Sequence, residues 1–281
     1  MDVLNMAGAL YVVATPIGNL EDFSRRGISV LGSVALIAAE DTRRTRVLLD
    51  AIGVSGVPIK ALHTYNESTA SARVLDVLRG GGDVALVSDA GTPLLSDPGF
   101  ELVRACWDAG IEVRPVPGAS AVAALLSVCP LPAGAFLFAG FLPARRQQRE
   151  ERLTELLAPG VALVFFEAPH RIAATLDELE RLAPRRRIML GREMTKRHEQ
   201  YLCGTPGELG ARLAAADQVK GEFACVVEAA DRETPAADVR HTMEILGREL
   251  PPAQAARLGA QLLGRNRREL YRLAMELRPQ G

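Results

Sequence analysis

Short apolar runs rich in β-branched residues alternate with amphipathic stretches through the first two thirds of the chain. Such alternation is typical of an α/β architecture in which most strands are parallel. The segment RPVPGAS at 114–120 has the composition of a hinge and divides the runs into two series. The first series predicts strands at 10–14, 35–39, 59–62, 83–88 and 112–115, with helices at 42–52 and 68–79 between them. The second series predicts strands at 135–140, 161–167, 187–192, 199–203 and 222–229.

After residue 231 the pattern becomes helical, with helices predicted at 236–249, 253–263 and 267–276. Pro252 suits the start of a helix and Gly264 suits the end of one. Two short helices joined by a tight glycine turn resemble a helix-turn-helix, but a helical hairpin for dimerisation or capping fits the pattern equally well. We therefore expect a loose leader over 1–8, α/β domains over 9–118 and 119–231, and a helical module over 232–281.

Composition narrows the function classes. The 281 residues include 33 Lys and Arg against 34 Asp and Glu, so a site for a polyanion has to be a local patch. The four cysteines form no C-x-x-C pair, which argues against a zinc site or a disulfide framework and favours a reducing cytoplasm. The stretch 115–144 carries no charge, but its prolines and glycines argue against a membrane span. No Lys or Arg precedes Arg25, so the basic start of a signal peptide is missing.

The strand predicted at 83–88 is followed by a dense cluster of turn-forming residues, VSDAGTPLLSDPG at 87–99. Asp97 and Pro98 have the pattern of an N-cap and first residue of a helix that ends at Gly110. The first half, SDAGTP at 88–93, lacks such an explanation. A glycine-containing loop at the carboxyl end of a parallel strand exposes backbone groups where open α/β sheets bind ligands. This loop is therefore the leading candidate for a small-molecule site.

Five further motifs lie at predicted strand ends. Asp41 or Thr42 can cap the helix 42–52, whereas arginines in its first turns oppose the helix dipole and favour an anionic partner or a solvated face. Ser120 suits a cap for a helix at 120–128. The motifs FFEAPHR and REMTKRHE mix acids with cations, so they could handle a proton and hold phosphates. A lone histidine such as His170 or His198 is nevertheless more often structural. The motifs are ATPIGNLED at 14–22, AAEDTRRT at 38–45, VPGASA at 116–121, FFEAPHR at 165–171 and REMTKRHE at 192–199.

Several widespread catalytic motifs are missing from the sequence. It contains no G-x-x-x-x-G-K-[ST], no H-E-x-x-H, no G-x-S-x-G and no metal-ligand spacing of His or Cys. The residues alone predict a two-lobed α/β enzyme with a ligand loop at a strand end and no bound metal.

Taken together and in this order, the motifs resemble those of the bacterial 16S ribosomal RNA (cytidine) 2′-O-methyltransferase family, a branch of the tetrapyrrole (corrin/porphyrin) methylase superfamily. The resemblance spans residues 9–230 and extends into the helical tail. It implies two α/β lobes with S-adenosylmethionine (SAM) in the cleft between them, and a helix-turn-helix-like C-terminal module. It also implies a cytoplasmic homodimer that acts on 16S rRNA of the small ribosomal subunit, with neither a metal nor a membrane as partner.

The resemblance further implies which residues contact SAM. Relatives that act on tetrapyrroles have G-G-D-P where this chain has Ala90-Gly91-Thr92-Pro93, so Thr92 replaces an Asp. The lost negative charge argues against a tetrapyrrole substrate and favours the RNA branch. The implied SAM contacts are Pro16, Asp89, Ala90, Gly91, Thr92, Pro93, Leu94, Leu95, Ala119, Ser120, Glu167, Ala168, Phe223 and Ala224.

A ribose 2′-hydroxyl that attacks the methyl carbon of SAM needs alignment and a group that accepts its proton. The candidates for that group are Glu40, Asp41, Glu167, Glu193 and Lys196, the lysine only if its pKa is depressed. The basic residues expected to contact RNA phosphates are Arg43, Arg44, Arg145, Arg146, Arg149, Arg171, Lys196 and Arg197.

Two alternatives stay open. One is a SAM-dependent methyltransferase of the same fold that acts on a tetrapyrrole or a protein side chain. The other is a non-enzymatic RNA-binding protein whose SAM site is vestigial.

Overall fold

The computed structural model describes residues 7–64, 66–215, 220–230, 236–263 and 265–277. The chain divides into two compact units, one that ends at Ala229 and one that starts at Ala230. The predicted boundary between 118 and 119 separates two sheets that share the first unit. The predicted boundary between 231 and 232 lies outside the described residues, as do positions 1–6 of the predicted leader. Gly8 is buried and donates a hydrogen bond to the Leu78 carbonyl over 2.8 Å, so the prediction of a loose segment is wrong there.

The first sheet consists of five parallel strands in the order β3-β2-β4-β1-β5. Its central strands are continuous apolar runs, as expected of parallel strands covered on both faces. The strands are β1 Leu10–Val13, β2 Leu36–Ala39, β3 Ile59–Ala61, β4 Val84–Val87 and β5 Val113–Val116. The helices that connect and follow them are α1 Arg25–Ser33, α2 Thr42–Ala51, α3 Glu67–Arg79, α4 Phe100–Asp108 and α5 Ala121–Ser127.

The second sheet has the order β6-β7-β10-β8-β9. Its strands are β6 Phe136–Phe141, β7 Ala162–Glu167, β8 Ile188–Arg192, β9 Gln200–Gly204 and β10 Phe223–Val227. Helices α6 Arg146–Leu157, α7 Ile172–Leu182 and α8 Pro206–Ala214 belong to the same half. Of the four neighbouring pairs in this sheet, β6 with β7 is parallel, whereas β10 pairs antiparallel with β7 and β8, and β8 pairs antiparallel with β9. The prediction of mostly parallel strands is therefore wrong for this sheet, because hydrophobic runs do not encode strand direction.

The start of α4 also differs from the prediction. Gly99, with a φ of +121°, occupies the N-cap position, so Asp97 and Pro98 lie ahead of the helix. The Glu67 carboxylate of α3 accepts hydrogen bonds from the Gly99 and Glu101 amides over 2.9 and 2.8 Å. A carboxylate from another helix thus replaces the local cap, which leaves Asp97 free for another role. Gly110 follows the end of α4 in a left-handed conformation, as predicted.

The predicted caps of two other helices have different outcomes. Asp41 caps α2 by accepting hydrogen bonds from the Arg43 and Arg44 amides, over 2.8 and 3.3 Å. Ser120 occupies the N-cap position of α5, but its side chain makes no capping hydrogen bond within the described part of the chain.

The C-terminal unit contains three helices, α9 Ala236–Glu249, α10 Pro252–Leu263 and α11 Arg267–Glu276. Pro252 begins α10 as predicted, whereas Gly264 lies outside the described residues. The three helices share a core of their own that includes Met243, Ala255 and Leu270. In the ranges that the structure describes, no helix combines the length and apolar character needed to cross a membrane.

Candidate active site

A cavity of about 420 Å³ lies between the carboxyl ends of first-sheet strands and the second sheet. The carboxyl ends of parallel strands meet at one edge, so loops distant in sequence converge there. The first sheet contributes Ile17, Glu40, Arg44, Asp89, Ala90, Gly91, Thr92, Leu95, Ser96 and Asp97, and α5 and its cap contribute Ser120 and Ala121. The second sheet contributes Phe141, Phe166, Glu167, Ala168, Pro169, Glu193, Met194, Lys196, Glu222, Phe223 and Ala224.

The loop after β4 is fixed to the loop after β1. Thr15 and Gly91 exchange backbone hydrogen bonds of 2.9 and 3.1 Å, with Gly91 at a φ of +82°. The Thr92 hydroxyl donates to the Ala119 carbonyl over 3.1 Å and so joins this loop to the one before α5. Leu94 and Ser96 adopt positive φ values of 71° and 80°, which non-glycine residues adopt at a cost in energy. The loop is thus held in one unusual conformation.

Most of the residues predicted to bind SAM line this cavity, and four do not. Pro16 is buried and lines a smaller neighbouring cavity of about 130 Å³. Leu94 packs against the core of the first sheet, Pro93 is buried, and Ala119 offers its carbonyl to Thr92. The ten that line it are Asp89, Ala90, Gly91, Thr92, Leu95, Ser120, Glu167, Ala168, Phe223 and Ala224.

Three carboxylates, Glu40, Asp89 and Asp97, border the cavity at the ends of β2 and β4. Burial, followed by the charges of Glu40 and Asp89, raises the pKa of Asp97 to about 6 against the opposing hydrogen bond from Ser88. Burial also raises the pKa of Glu40, although that carboxylate accepts a hydrogen bond from the Asp89 amide over 3.3 Å. Burial raises the pKa of Asp89 as well, against the pull of Arg44, whose Nη1 lies 3.0 Å from Oδ2.

Asp97 is a candidate that the sequence reasoning missed. Its position before a proline and a helix explained it as a cap, and the glycine two residues later was the available signal that the helix starts further on. Asp41, by contrast, caps α2, and the two amide hydrogen bonds lower its pKa. Asp41 does not line the cavity.

The carboxylate of Glu167 has no free oxygen for proton transfer. Oε1 accepts a hydrogen bond from the Ala168 amide over 2.8 Å and lies 2.7 Å from the Arg171 guanidinium. Oε2 accepts a hydrogen bond from the Thr175 hydroxyl over 2.8 Å. These contacts fix the end of β7 and make Glu167 a structural residue at the cavity wall.

Lys196 lies between two carboxylates, 2.9 Å from Glu193 and 3.0 Å from Glu222. Burial favours the neutral amine, but the hydrogen bonds to Glu193 and Glu222 outweigh it and raise the pKa of Lys196. Burial on its own would raise the pKa of Glu193. The contact with Lys196 acts in the opposite direction, and the pKa of Glu193 is lowered. The condition for Lys196 as a base, a depressed pKa, is therefore not met. A side chain at position 18, where Gly18 lies in the loop after β1, would collide with the side chain of Lys196.

Two of the arginines predicted to bind RNA are structural instead. Arg149 is buried and bonds both Glu178 oxygens over 2.7 Å. Arg171 pairs with Glu167 and donates to the Leu142 carbonyl over 2.6 Å. The prediction is wrong for Arg149, because its buried guanidinium is held by Glu178 and cannot reach a phosphate. The ion pair with Glu167 and the bond to the Leu142 carbonyl disfavour RNA contact by Arg171. The remaining arginines of the set, Arg43, Arg44, Arg145, Arg146 and Arg197, are exposed, as are His170 and His198. Among the described residues no group of His, Cys, Asp and Glu side chains has an arrangement that could hold a metal.

Comparisons with known proteins agree with this geometry. The family model of Tetrapyrrole (Corrin/Porphyrin) Methylases matches residues 9–210, and a model described as RsmI C-terminal HTH domain matches residues 233–278. The ribosomal RNA small subunit methyltransferase I of Xylella fastidiosa (strain Temecula1) is 47% identical over 272 residues, which cover 95% of this chain and 99% of that relative. The protein of the same name from Escherichia coli O157:H7 is 42% identical, with 97% and 96% covered.

Solved structures of low identity share the α/β fold. Diphthine synthase superposes with a TM-score of 0.62 at 16% identity and covers 80% of this chain and 90% of its own. Uroporphyrin-III C-methyltransferase from Thermus thermophilus, in complex with S-adenyl homocysteine, gives a TM-score of 0.53 at 18% identity, with 79% and 97% covered. The near-complete match to the curated relatives, the two family models and the shared fold show that the chain belongs to the ribosomal RNA small subunit methyltransferase I family of the tetrapyrrole (corrin/porphyrin) methylases.

Proposed function

We propose that this protein transfers the methyl group of SAM to the 2′-hydroxyl of a cytidine ribose in 16S rRNA of the small ribosomal subunit. The observation that carries the proposal is the cavity between the sheets, lined by ten of the residues expected to contact SAM, in a chain whose relatives are ribosomal RNA methyltransferases. We further propose that it works in the cytoplasm as a homodimer, as its resemblance to the 2′-O-methyltransferases implies.

The residues of the cavity fit SAM in size and chemistry. A volume of about 420 Å³ lies within the usual range for sites that enclose small ligands. Backbone groups of 90–92 and the Ser120 hydroxyl can contact the polar ends of SAM, and Leu95 and Met194 supply apolar surface. The carboxylates Glu40 and Asp89 favour a cationic ligand by their charge. When bound, SAM supplies a methyl group on a positively charged sulfur, which a nucleophilic oxygen can accept.

Asp97 is the group best placed to accept the proton that the 2′-hydroxyl loses. It lines the cavity, and a pKa of about 6 makes it a stronger base than an ordinary carboxylate while leaving it ionised near neutral pH. Glu40 supports this state of the site through its negative charge, which raises the pKa of Asp97. The other candidates are less suited: Glu167 is saturated, Asp41 caps a helix, Lys196 is held protonated, and Glu193 has a lowered pKa.

The exposed arginines supply contacts for the RNA backbone in a chain of balanced charge. Arg44 borders the cavity with a side chain that is 71% exposed, so its guanidinium can reach a phosphate while it pairs with Asp89. Arg145 and Arg146 are exposed at the start of α6. These local clusters, and not the whole surface, are thus the expected RNA contacts.

The proposal is tested by incubating the protein with tritiated SAM and purified small ribosomal subunits. We expect tritium in 16S rRNA with the unaltered protein. We expect none with Thr92→Arg, whose longer side chain would occupy part of the cavity. The matched control is Thr92→Ser, which keeps the hydroxyl that bonds to the Ala119 carbonyl. Transfer to a tetrapyrrole or a protein without any label in RNA would identify the same-fold alternative. RNA affinity without binding of SAM or its demethylated product in calorimetry would identify the non-enzymatic one.

A further inference from the structure

The last residue of β6, Phe141, is directed by a β-bulge. Phe138 pairs with Val164 of β7 and Phe141 pairs with Phe166, so three steps along β6 match two along β7. Gly140 lies within this irregularity at a φ of +62°, and a side chain there would meet the Ser96 hydroxyl at 2.6 Å. Bulges next to binding sites commonly redirect a side chain, and this one sets Phe141 on the cavity wall.

Phe141 presents an aromatic ring that the protein itself leaves open. Its exposed fraction is 59% although it lines the cavity. The ring of Phe166 lies 5.6 Å from that of Phe141 at 59° and 5.1 Å from that of Phe138 at 70°. Such edge and tilted contacts hold aromatic rings in place without covering their faces. Phe141 is therefore positioned and still accessible.

The segment that follows Phe141 is anchored by two arginines that pair with carboxylates inside the protein, Arg149 and Arg171. The carbonyl of Leu142 accepts a hydrogen bond from Arg171, and the carbonyls of Pro143 and Ala144 accept from Arg149, over 2.6, 3.5 and 3.1 Å. Buried carboxylates hold both guanidiniums. A segment without regular structure is thus fixed between the aromatic ring and the exposed Arg145 and Arg146.

A fixed, open aromatic ring that is followed in the chain by exposed cations suits the recognition of an unstacked nucleotide. Bases stack on aromatic side chains once they leave the helix, and arginines contact the phosphates beside them. A nucleotide whose 2′-hydroxyl enters the cavity has to be splayed out of its stack, which leaves its base in need of a new partner.

We propose that Phe141 stacks on the base of the nucleotide to be methylated, with Arg145 and Arg146 on the adjoining phosphates, an inference that rests on the proposed function. Phe141, which is exposed where it lines the cavity, is thus a positioning residue for the acceptor and is not among the expected SAM contacts.

The test compares Phe141→Ala, Phe141→Leu and Phe141→Trp in steady-state methyl transfer to small ribosomal subunits, with the SAM affinity of each variant measured by calorimetry. Phe136→Ala is the matched control, because Phe136 lies on the same strand, is 42% exposed and does not line the cavity. We expect kcat/KM for subunits to fall about 10- to 100-fold in the Ala variant, the usual scale for one lost base stack. The Leu variant should fall similarly, whereas Trp and the control should stay within about threefold of the unaltered protein.

The inference is overturned if Phe141→Ala transfers as well as the unaltered protein, if Leu replaces Phe as well as Trp does, or if SAM affinity falls by the same factor as transfer. Retained SAM affinity also shows that the variant is folded. If the unaltered protein leaves no label in the subunits, the proposed function fails before any variant is compared. If it does and Phe141→Ala matches it, only the stacking inference fails.

Discussion

At the scale of single residues, Asp97 is the proposed acceptor of the proton that the 2′-hydroxyl loses. It shares the cavity wall with Glu40 and Asp89, and its pKa of about 6 reflects burial first and these two charges second. A carboxylate kept in this state makes a useful base near neutral pH, at a cost in stability because the folded protein binds its proton more tightly than the unfolded chain does.

Asp97→Asn should separate these two effects. Since the folded pKa lies above the ordinary value of 3.8, the stability that Asp97 contributes is fully present below pH 4 and lost as the pH rises through 6. The variant should therefore unfold at a higher temperature than the unaltered protein above pH 6, with no such gain near pH 4. Methyl transfer should fall about 10²- to 10⁴-fold, the usual contribution of a general base. Thermal unfolding across pH and transfer assays check both.

Asp41→Asn is the control of opposite sign. The folded pKa of Asp41 is lowered by the amides that it caps, so its contribution is present above the unfolded pKa and lost as the pH falls. This variant should be less stable at neutral pH and should keep its methyl transfer. Equal pH responses of the two variants would show that Asp97 is not held in the state described.

Single residues also show where the sequence could not predict the site. Arg149 lies in a basic cluster that favours RNA contact, but its partner Glu178 is 29 residues away and becomes visible only once α6 and α7 are packed. The neighbours of Asp97 in the sequence predicted that it caps α4. In the structure the Glu67 carboxylate takes that role by accepting a hydrogen bond from the Gly99 amide, 32 residues away along the chain. Local patterns do not contain such long-range partners.

At the scale of elements, the buried pair of Arg149 on α6 and Glu178 on α7 connects two helices to the segment that follows Phe141. Arg149→Ala leaves the Glu178 carboxylate buried without its cation, which should lower the free energy of unfolding by about 3–5 kcal/mol. Arg146→Ala, three residues earlier and exposed, should leave stability unchanged while it weakens RNA binding and flattens its salt dependence. Urea unfolding and binding titrations check the contrast, and equal stability of the two variants would contradict it.

The elements were the part of the fold that the sequence predicted best. All ten predicted strands are present with ends shifted by at most two residues, because apolar runs bounded by turn residues mark a strand. The predicted parallel direction of the strands is confirmed only in the first sheet, where helices connect the strands. In the second sheet, β10 inserts between β7 and β8 although it is last in sequence, and no local pattern encodes that insertion.

At the scale of the whole molecule, every residue that lines the cavity belongs to the unit that ends at Ala229. The helices of the C-terminal unit have a core of their own. A chain shortened to 1–229 should therefore keep SAM affinity within about threefold, a change of less than 1 kcal/mol. Calorimetry with SAM checks this, and loss of binding by a folded 1–229 fragment would contradict the location of the site.

The central claim, methyl transfer to a ribose hydroxyl, is tested most directly by digesting the tritium-labelled small-subunit RNA to nucleosides and identifying the one that carries the label. We predict that the tritium is found in 2′-O-methylcytidine and disappears with Thr92→Arg. Label on a base, or RNA that carries no label, would contradict the account.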